Sequence, residues 1–83
     1  MPSFIPTRLL SVGARNLREF GYPDAHESNI LNGDILTIMF KSMLEDNLGK
    51  GHDEDINALI AECTTAIDAR NAKLRANDVP QST

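Results

Sequence analysis

The sequence predicts an all-α fold, a small three-helix domain with a short helical turn between helices 1 and 2. Hydrophobic residues make up 41% of the 83 residues, which is ordinary for a globular protein and too high for a disordered one. They recur at helical spacing, and nearly all of the prolines and glycines stand near the expected ends of elements. The alternation that marks half-buried strands is missing. Residues 1–83 therefore form one helical domain, of a size at which cores are small.

The chain is predicted to open with an extended arm, residues 1–6, whose two prolines hold the residues before them away from helical angles. Phe4 and Ile5 would be wasted on a free arm, so we expect at least one of them to dock on the core. At the other end, residues 78–83 are predicted to be a frayed tail.

The first helix is predicted over Arg8–Phe20, with Thr7 as its N-cap and Gly21 ending it as a C′ glycine. The residues expected to face inward are Leu9, Gly13, Leu17 and Phe20. Leu10 and Ala14 lie on one flank of this face, and Val12 lies on the other. The opposite face carries Arg8, Arg15 and Arg18. These arginines are interpreted first as a solvated surface, and alternatively as a contact for phosphate or an acidic partner.

A short helical turn is predicted over residues 25–31. Asp24 and Glu27 have the spacing of a capping box at its start, and the turn would carry Ile30 and Leu31 into the core.

The central helix is predicted from about Gly33 to Leu48, with Asn32 as its N-cap and Asp34 stabilised by the helix dipole. Its apolar residues cover roughly 280° of the helical wheel, whereas a one-sided surface helix needs little more than 100°. Two neighbouring helices are too few to cover this surface. We therefore expect completion of the fold by dimerisation, with the second helix and part of the third at the interface. The expected contact residues are Ile35, Ile38, Met39, Phe40 and Met43.

The last helix is predicted over Glu54–Ala76, with Asp53 as its N-cap. Its apolar stripe has the alternating spacing of a helix–helix seam, interrupted by Arg70, and consists of Ile56, Leu59, Ile60, Cys63, Ile67 and Leu74. Acidic residues stand at its start and basic residues at its end, as the helix dipole favours.

The net charge of −4 belongs to the middle of the chain, because residues 34–62 carry seven acidic residues against two lysines. An acidic balance argues against nonspecific binding to nucleic acid or to anionic membranes. The N-terminal sequence has neither the basic region nor the apolar run of a signal peptide, and no segment is apolar enough to span a membrane. With a single cysteine, the chain is expected to be cytoplasmic.

No arrangement of residues indicates catalysis, a cofactor or a metal. Cys63 falls within the apolar stripe of the last helix, where a thiol is buried and unreactive. His26 and His52 lie in predicted connections as solvated side chains; the alternatives are a metal site of His52, Asp53 and Asp55 or a pH-sensitive contact. A comparison with helix–loop–helix calcium sites fails on ligand spacing.

The sequence thus predicts a non-enzymatic protein–protein interaction or assembly protein, a homodimer that also binds another protein. The alternative is a small DNA-binding transcription regulator that contacts phosphate through Arg8, Arg15 and Arg18.

Overall fold

The structure is a computed structural model that describes residues 7–77, and the predicted arm and tail lie outside the described residues. Within that part of the chain there are three α-helices and no strand, which confirms the all-α prediction. The helices are α1 (Thr7–Phe20), α2 (Ile35–Asp46) and α3 (Asp53–Asn77).

α2 is the central element, because it packs against both α1 and α3. α3 has 25 residues and α2 only 12, so α3 extends well past its neighbour. One continuous core joins the three helices and the connection between α1 and α2. Its fully or nearly buried residues are Leu10, Ala14, Leu17, Ala25, Ile30, Leu36, Phe40, Leu44, Ile56, Leu59 and Cys63.

α1 approaches α2 most closely at Gly13, whose backbone lies against the ring of Phe40. A Cβ placed on Gly13 would come within 2.7 Å of Cδ1 of that ring. The buried face of α1 is turned toward Leu10 and Ala14, and Phe20 is 66% exposed. The prediction that Phe20 faces inward is therefore wrong. Its ring instead stacks on that of Tyr22, with 6.3 Å between centroids.

α1 ends at Gly21 as predicted. The amide of Gly21 donates to the carbonyl of Arg18, and the amide of Tyr22 donates to that of Leu17 at 2.9 Å. These two bonds form a Schellman motif, which satisfies carbonyls that the helix end leaves without partners. Thr7 belongs to the first turn of α1 and does not precede it.

The connection between α1 and α2 contains two hydrogen-bonded turns. In the first, the amide of Ala25 donates to the carbonyl of Tyr22; the second, over residues 26–30, is one turn of helical hydrogen bonding within the predicted short helical turn over 25–31. The carbonyl of His26 accepts from the amides of Asn29 and Ile30. The side chain of Asn29 organises the second turn, because its Oδ1 accepts from the His26 amide and its Nδ2 donates to the Asp24 carbonyl. Ile30 enters the core as expected, and Leu31 packs on it from a partly buried position.

α2 begins at Ile35 with Asp34 as its N-cap, and the prediction of Asn32 is wrong. Oδ1 of Asp34 accepts from the Leu36 amide at 2.9 Å, while Oδ1 of Asn32 accepts from the amide of Asp34. One turn later the hydroxyl of Thr37, fully buried, accepts from the amide of Gly33 at 2.7 Å. This bond satisfies a buried donor at the entry to the helix.

Gly33 presses the start of α2 against α3. A Cβ on Gly33 would lie 2.7 Å from Cβ of Arg70 and 3.0 Å from the carbonyl carbon of Ala66. Its φ of +90° is also one that side chains disfavour. Residues with a side chain therefore meet two obstacles at this position.

α2 ends at Asp46, two residues before the predicted end, and α3 returns beside it after residues 47–52. The Asn47 side chain donates to the carbonyl of Met43, and the Asp53 side chain accepts from the amide of Gly49 at 2.7 Å. Asp53 is the first residue of α3. The short connection makes α2 and α3 an antiparallel pair.

Candidate functional site

The outer face of α2 carries two large apolar side chains that the fold leaves half exposed. Ile35 is 52% exposed and Ile38 is 47% exposed. Beside Ile38, Nζ of Lys41 lies 3.7 Å from Oε2 of Glu45. We call the surface of Ile35 and Ile38 the outer face of α2.

The other three predicted interface residues lie elsewhere on α2. Phe40 is 1% exposed and belongs to the core of the protomer, so it is not a surface residue. Stepping at about 100° per residue places Phe40 roughly 160° around the helix from Ile38. Met39 and Met43 are partly buried and pack against the core. The five residues therefore do not form one surface.

Phe40 and Met43 instead contribute to an open apolar groove with a volume of about 280 Å³. Together with Leu44 they line it from α2, while Leu9 and Val12 line it from α1. Further residues come from α1, the connection after α2 and the start of α3, namely Gly13, Asn16, Asn47, Lys50, His52 and Ile56. The lining is mostly apolar, with polar side chains from α1 and from the connection after α2.

Sequence reasoning did not identify this groove. The signal that could have indicated it is Gly13, a residue without a side chain on the inward face of a helix. Such a position permits close approach of a neighbouring element. The sequence does not show which element approaches Gly13. That Leu9, Val12 and Met43 line one groove depends on how α1 packs on α2.

The three arginines of α1 are exposed, but they do not all project freely. Nη1 of Arg18 donates to the carbonyl of Ala25 at 2.9 Å and so ties the connection to α1. Arg8 and Arg15 are exposed along the same helix. The structure thus gives Arg18 a role in the fold and leaves the other two arginines on the surface.

Cys63 is fully buried among core residues, as predicted. Burial raises the pKa of its thiol from 9.0 to about 11; the charge of Lys41 opposes this shift, and the charges of Glu62 and Glu45 add to it. Because the thiolate is the reactive form, these surroundings disfavour nucleophilic chemistry at this residue.

The sequence analysis offered a metal site of His52, Asp53 and Asp55 as one alternative for His52. Across residues 7–77, no three His, Cys, Asp or Glu side chains are grouped so that they could hold a metal ion. His26 and His52 are both exposed, and His52 lies at the edge of the groove.

Comparison with family models, with curated proteins and with solved structures finds no match for this chain. Among the helices of residues 7–77, none combines the length and apolar character needed to cross a membrane.

Proposed function

We propose that this chain is a non-catalytic helical interaction and assembly domain that associates with a second copy of itself through the outer face of α2. The observation that supports this proposal is the half exposure of Ile35 and Ile38 on a helix already packed against two others. A two-fold contact would bury the same side chains from both copies.

The magnitudes set the expected strength of this contact. Full burial of an isoleucine stabilises by about 1.5–3 kcal/mol, and half of that surface is already buried, so each side chain adds about 1 kcal/mol. The four isoleucines of a symmetric pair then contribute about 4 kcal/mol, while association costs about 4–15 kcal/mol. The burial gain therefore offsets only the lower end of the association cost, so polar contacts around the isoleucines must contribute as well and we expect a weak contact.

The charges beside the outer face suit a second copy. Asp34 lies four residues before Ile38, and Lys41 lies three residues after it. In an antiparallel pair of α2 helices centred on Ile38, Lys41 of each copy therefore lies near Asp34 of the other. Opposite charges around an interface favour the correct register and the rate of encounter.

Sedimentation equilibrium of the full chain, between roughly 1 µM and 1 mM, tests the proposal and detects association with a dissociation constant as high as about 1 mM. We expect reversible association that the double variant Ile35→Ser/Ile38→Ser weakens at least tenfold. The matched control is Phe20→Ser/Leu48→Ser, which removes exposed apolar surface away from the outer face.

Circular dichroism is the control that checks whether both double variants remain helical. A wild-type chain that stays monomeric at 1 mM would overturn the proposal. So would a control variant that weakens association as much as the isoleucine variant does.

A further inference from the structure

We propose that α3 carries a second contact surface, which includes its distal half, and that it pairs antiparallel with α3 of another copy. This contact is separate from the outer face of α2 and does not depend on it. Three features of α3 support it: its length, an apolar series at heptad spacing, and the opposite charges of its two ends.

Because of the length of α3, none of the other helices in residues 7–77 reaches its last two turns. At 1.5 Å per residue the 25 residues of α3 extend about 37 Å, and the 12 residues of α2 about 18 Å. Just before α2, Gly33 lies against Ala66 and Arg70 of α3. The residues of α3 after Arg70 are exposed as far as Ala76.

An apolar series runs along α3 toward this end. Ile60, Ile67 and Leu74 recur every seven residues, which keeps them near one face of the helix. Ile60 and Ile67 are both partly buried, with Ile60 packed on the core, whereas Leu74 is 49% exposed. Thr64 and Asn71 lie between them at the four-three spacing of a helix–helix seam. Three of these five seam positions are thus apolar and two are polar.

The charges of α3 identify a second copy as the partner. Its first turn carries Asp53, Glu54 and Asp55, and its end carries Lys73 and Arg75. When two α3 helices cross antiparallel near Thr64, the basic end of each lies beside the acidic start of the other. In a two-fold contact the acidic start and the basic end of each helix both lie beside the opposite charge, because the two copies use the same surface.

Two different two-fold contacts on one chain have a consequence for assembly. A chain that pairs through α2 and separately through α3 can join more than two copies, because the two contacts use different surfaces and can form at the same time. The wild-type chain is therefore expected to form species larger than a dimer at high concentration.

A charge-complementation experiment tests the α3 contact alone. It uses the full chain carrying Ile35→Ser/Ile38→Ser, so that the outer face of α2 makes no contribution. On this parent, one variant adds Glu54→Lys/Asp55→Lys and has basic residues at both ends of α3. The other adds Lys73→Glu/Arg75→Glu and has acidic residues at both ends.

Sedimentation equilibrium should show that the parent associates and that each charge variant alone associates at least tenfold more weakly. An equimolar mixture of the two variants should recover association, because each basic end then meets an acidic one. The reversals also disturb the helix dipole within each chain, but that effect is the same in the mixture and cannot produce recovery. Circular dichroism checks that both variants remain helical.

A parent that stays monomeric at 1 mM overturns the proposal, and so does a mixture that associates no better than its components. Variants that associate individually as strongly as the parent overturn it as well. Loss of association in the Ile35→Ser/Ile38→Ser parent relative to wild type bears only on the α2 contact. The two proposals can therefore fail separately.

Discussion

Gly13 of α1 lies directly against the ring of Phe40 of α2, so closely that a Cβ at residue 13 would be 2.7 Å from Cδ1 of the ring. Glycine within a helix costs about 1 kcal/mol relative to alanine. In this position the cost is offset by the packing of a large buried ring against the backbone. The glycine is where α1 and α2 meet.

We expect Gly13→Ala to destabilise the fold in spite of alanine's higher helix propensity. Overpacking a core costs about 1–3 kcal/mol, which exceeds the gain of about 1 kcal/mol from propensity. The net loss, measured by urea denaturation, should be about 1 kcal/mol. In a Phe40→Leu background the same substitution should be neutral or stabilising, since the ring is gone. Stabilisation of the wild-type chain by Gly13→Ala would contradict this account.

Gly33 and Gly49 offer a matched comparison, because their φ angles are +90° and +87°. A side chain at either position is strained by about 1–2 kcal/mol. At Gly49 the added Cβ meets open space, whereas at Gly33 it meets Ala66 and Arg70 of α3. Gly33→Ala should therefore destabilise by at least about 1 kcal/mol more than Gly49→Ala in chemical denaturation. Equal losses would show that the contact with α3 is unimportant.

The N-cap of α2 can be assigned by substitution. Asp34→Ala removes the oxygen that accepts from the Leu36 amide and should cost about 1 kcal/mol. Asn32→Ala removes a longer and exposed hydrogen bond of 3.2 Å, and should cost less. Thermal or urea unfolding of both variants gives the order. The reverse order would restore Asn32 as the cap that the sequence predicts.

The buried thiol of Cys63 makes stability depend on pH in the alkaline range. Burial raises its pKa from an ordinary value of 9.0 to about 11 in the folded chain, so over this interval the folded state keeps its proton, whereas an exposed thiol in the unfolded chain loses it. The stabilisation is complete below pH 9 and is lost as pH rises to 11, at up to about 1.4 kcal/mol per pH unit.

Unfolding free energies at several pH values between 8 and 11 should therefore fall more steeply for the wild type than for Cys63→Ala. The variant also loses a small buried group, but that loss does not change with pH. Parallel curves for the two proteins would rule out the thiol as the titrating group.

The sequence predicted what depends on periodicity and composition. The three helices, the Gly21 end of α1 and the burial of Cys63 follow from local patterns, and the structure agrees. The N-cap of α2 was misplaced by two residues because Asn32, Gly33 and Asp34 all stand at the helix start. In the structure Gly33 lies against α3 with a positive φ, and Asp34 is the residue that precedes the first turn of α2.

The face of a helix that is buried was harder to predict than the helix itself. Phe20 belongs to the apolar series of α1, yet it is exposed because α1 rotates toward Leu10 and Ala14. Phe40 was predicted at an interface, yet the absence of a side chain at Gly13 makes room for its ring inside the protomer. Both outcomes depend on packing between helices, which local spacing does not determine.

The unequal lengths of the two connections indicate the order in which the chain folds. Residues 47–52 join α2 to α3, whereas residues 21–34 join α1 to α2, and the longer closure costs about 0.7 kcal/mol more. We therefore expect the α2–α3 pair to form first and α1 to join it last. By the same reasoning, α1 should detach first, which faster amide hydrogen exchange in α1 than in α2 would reveal. A protomer whose α1 has detached exposes Phe40, and the α1 of a neighbouring copy could cover it by domain swapping.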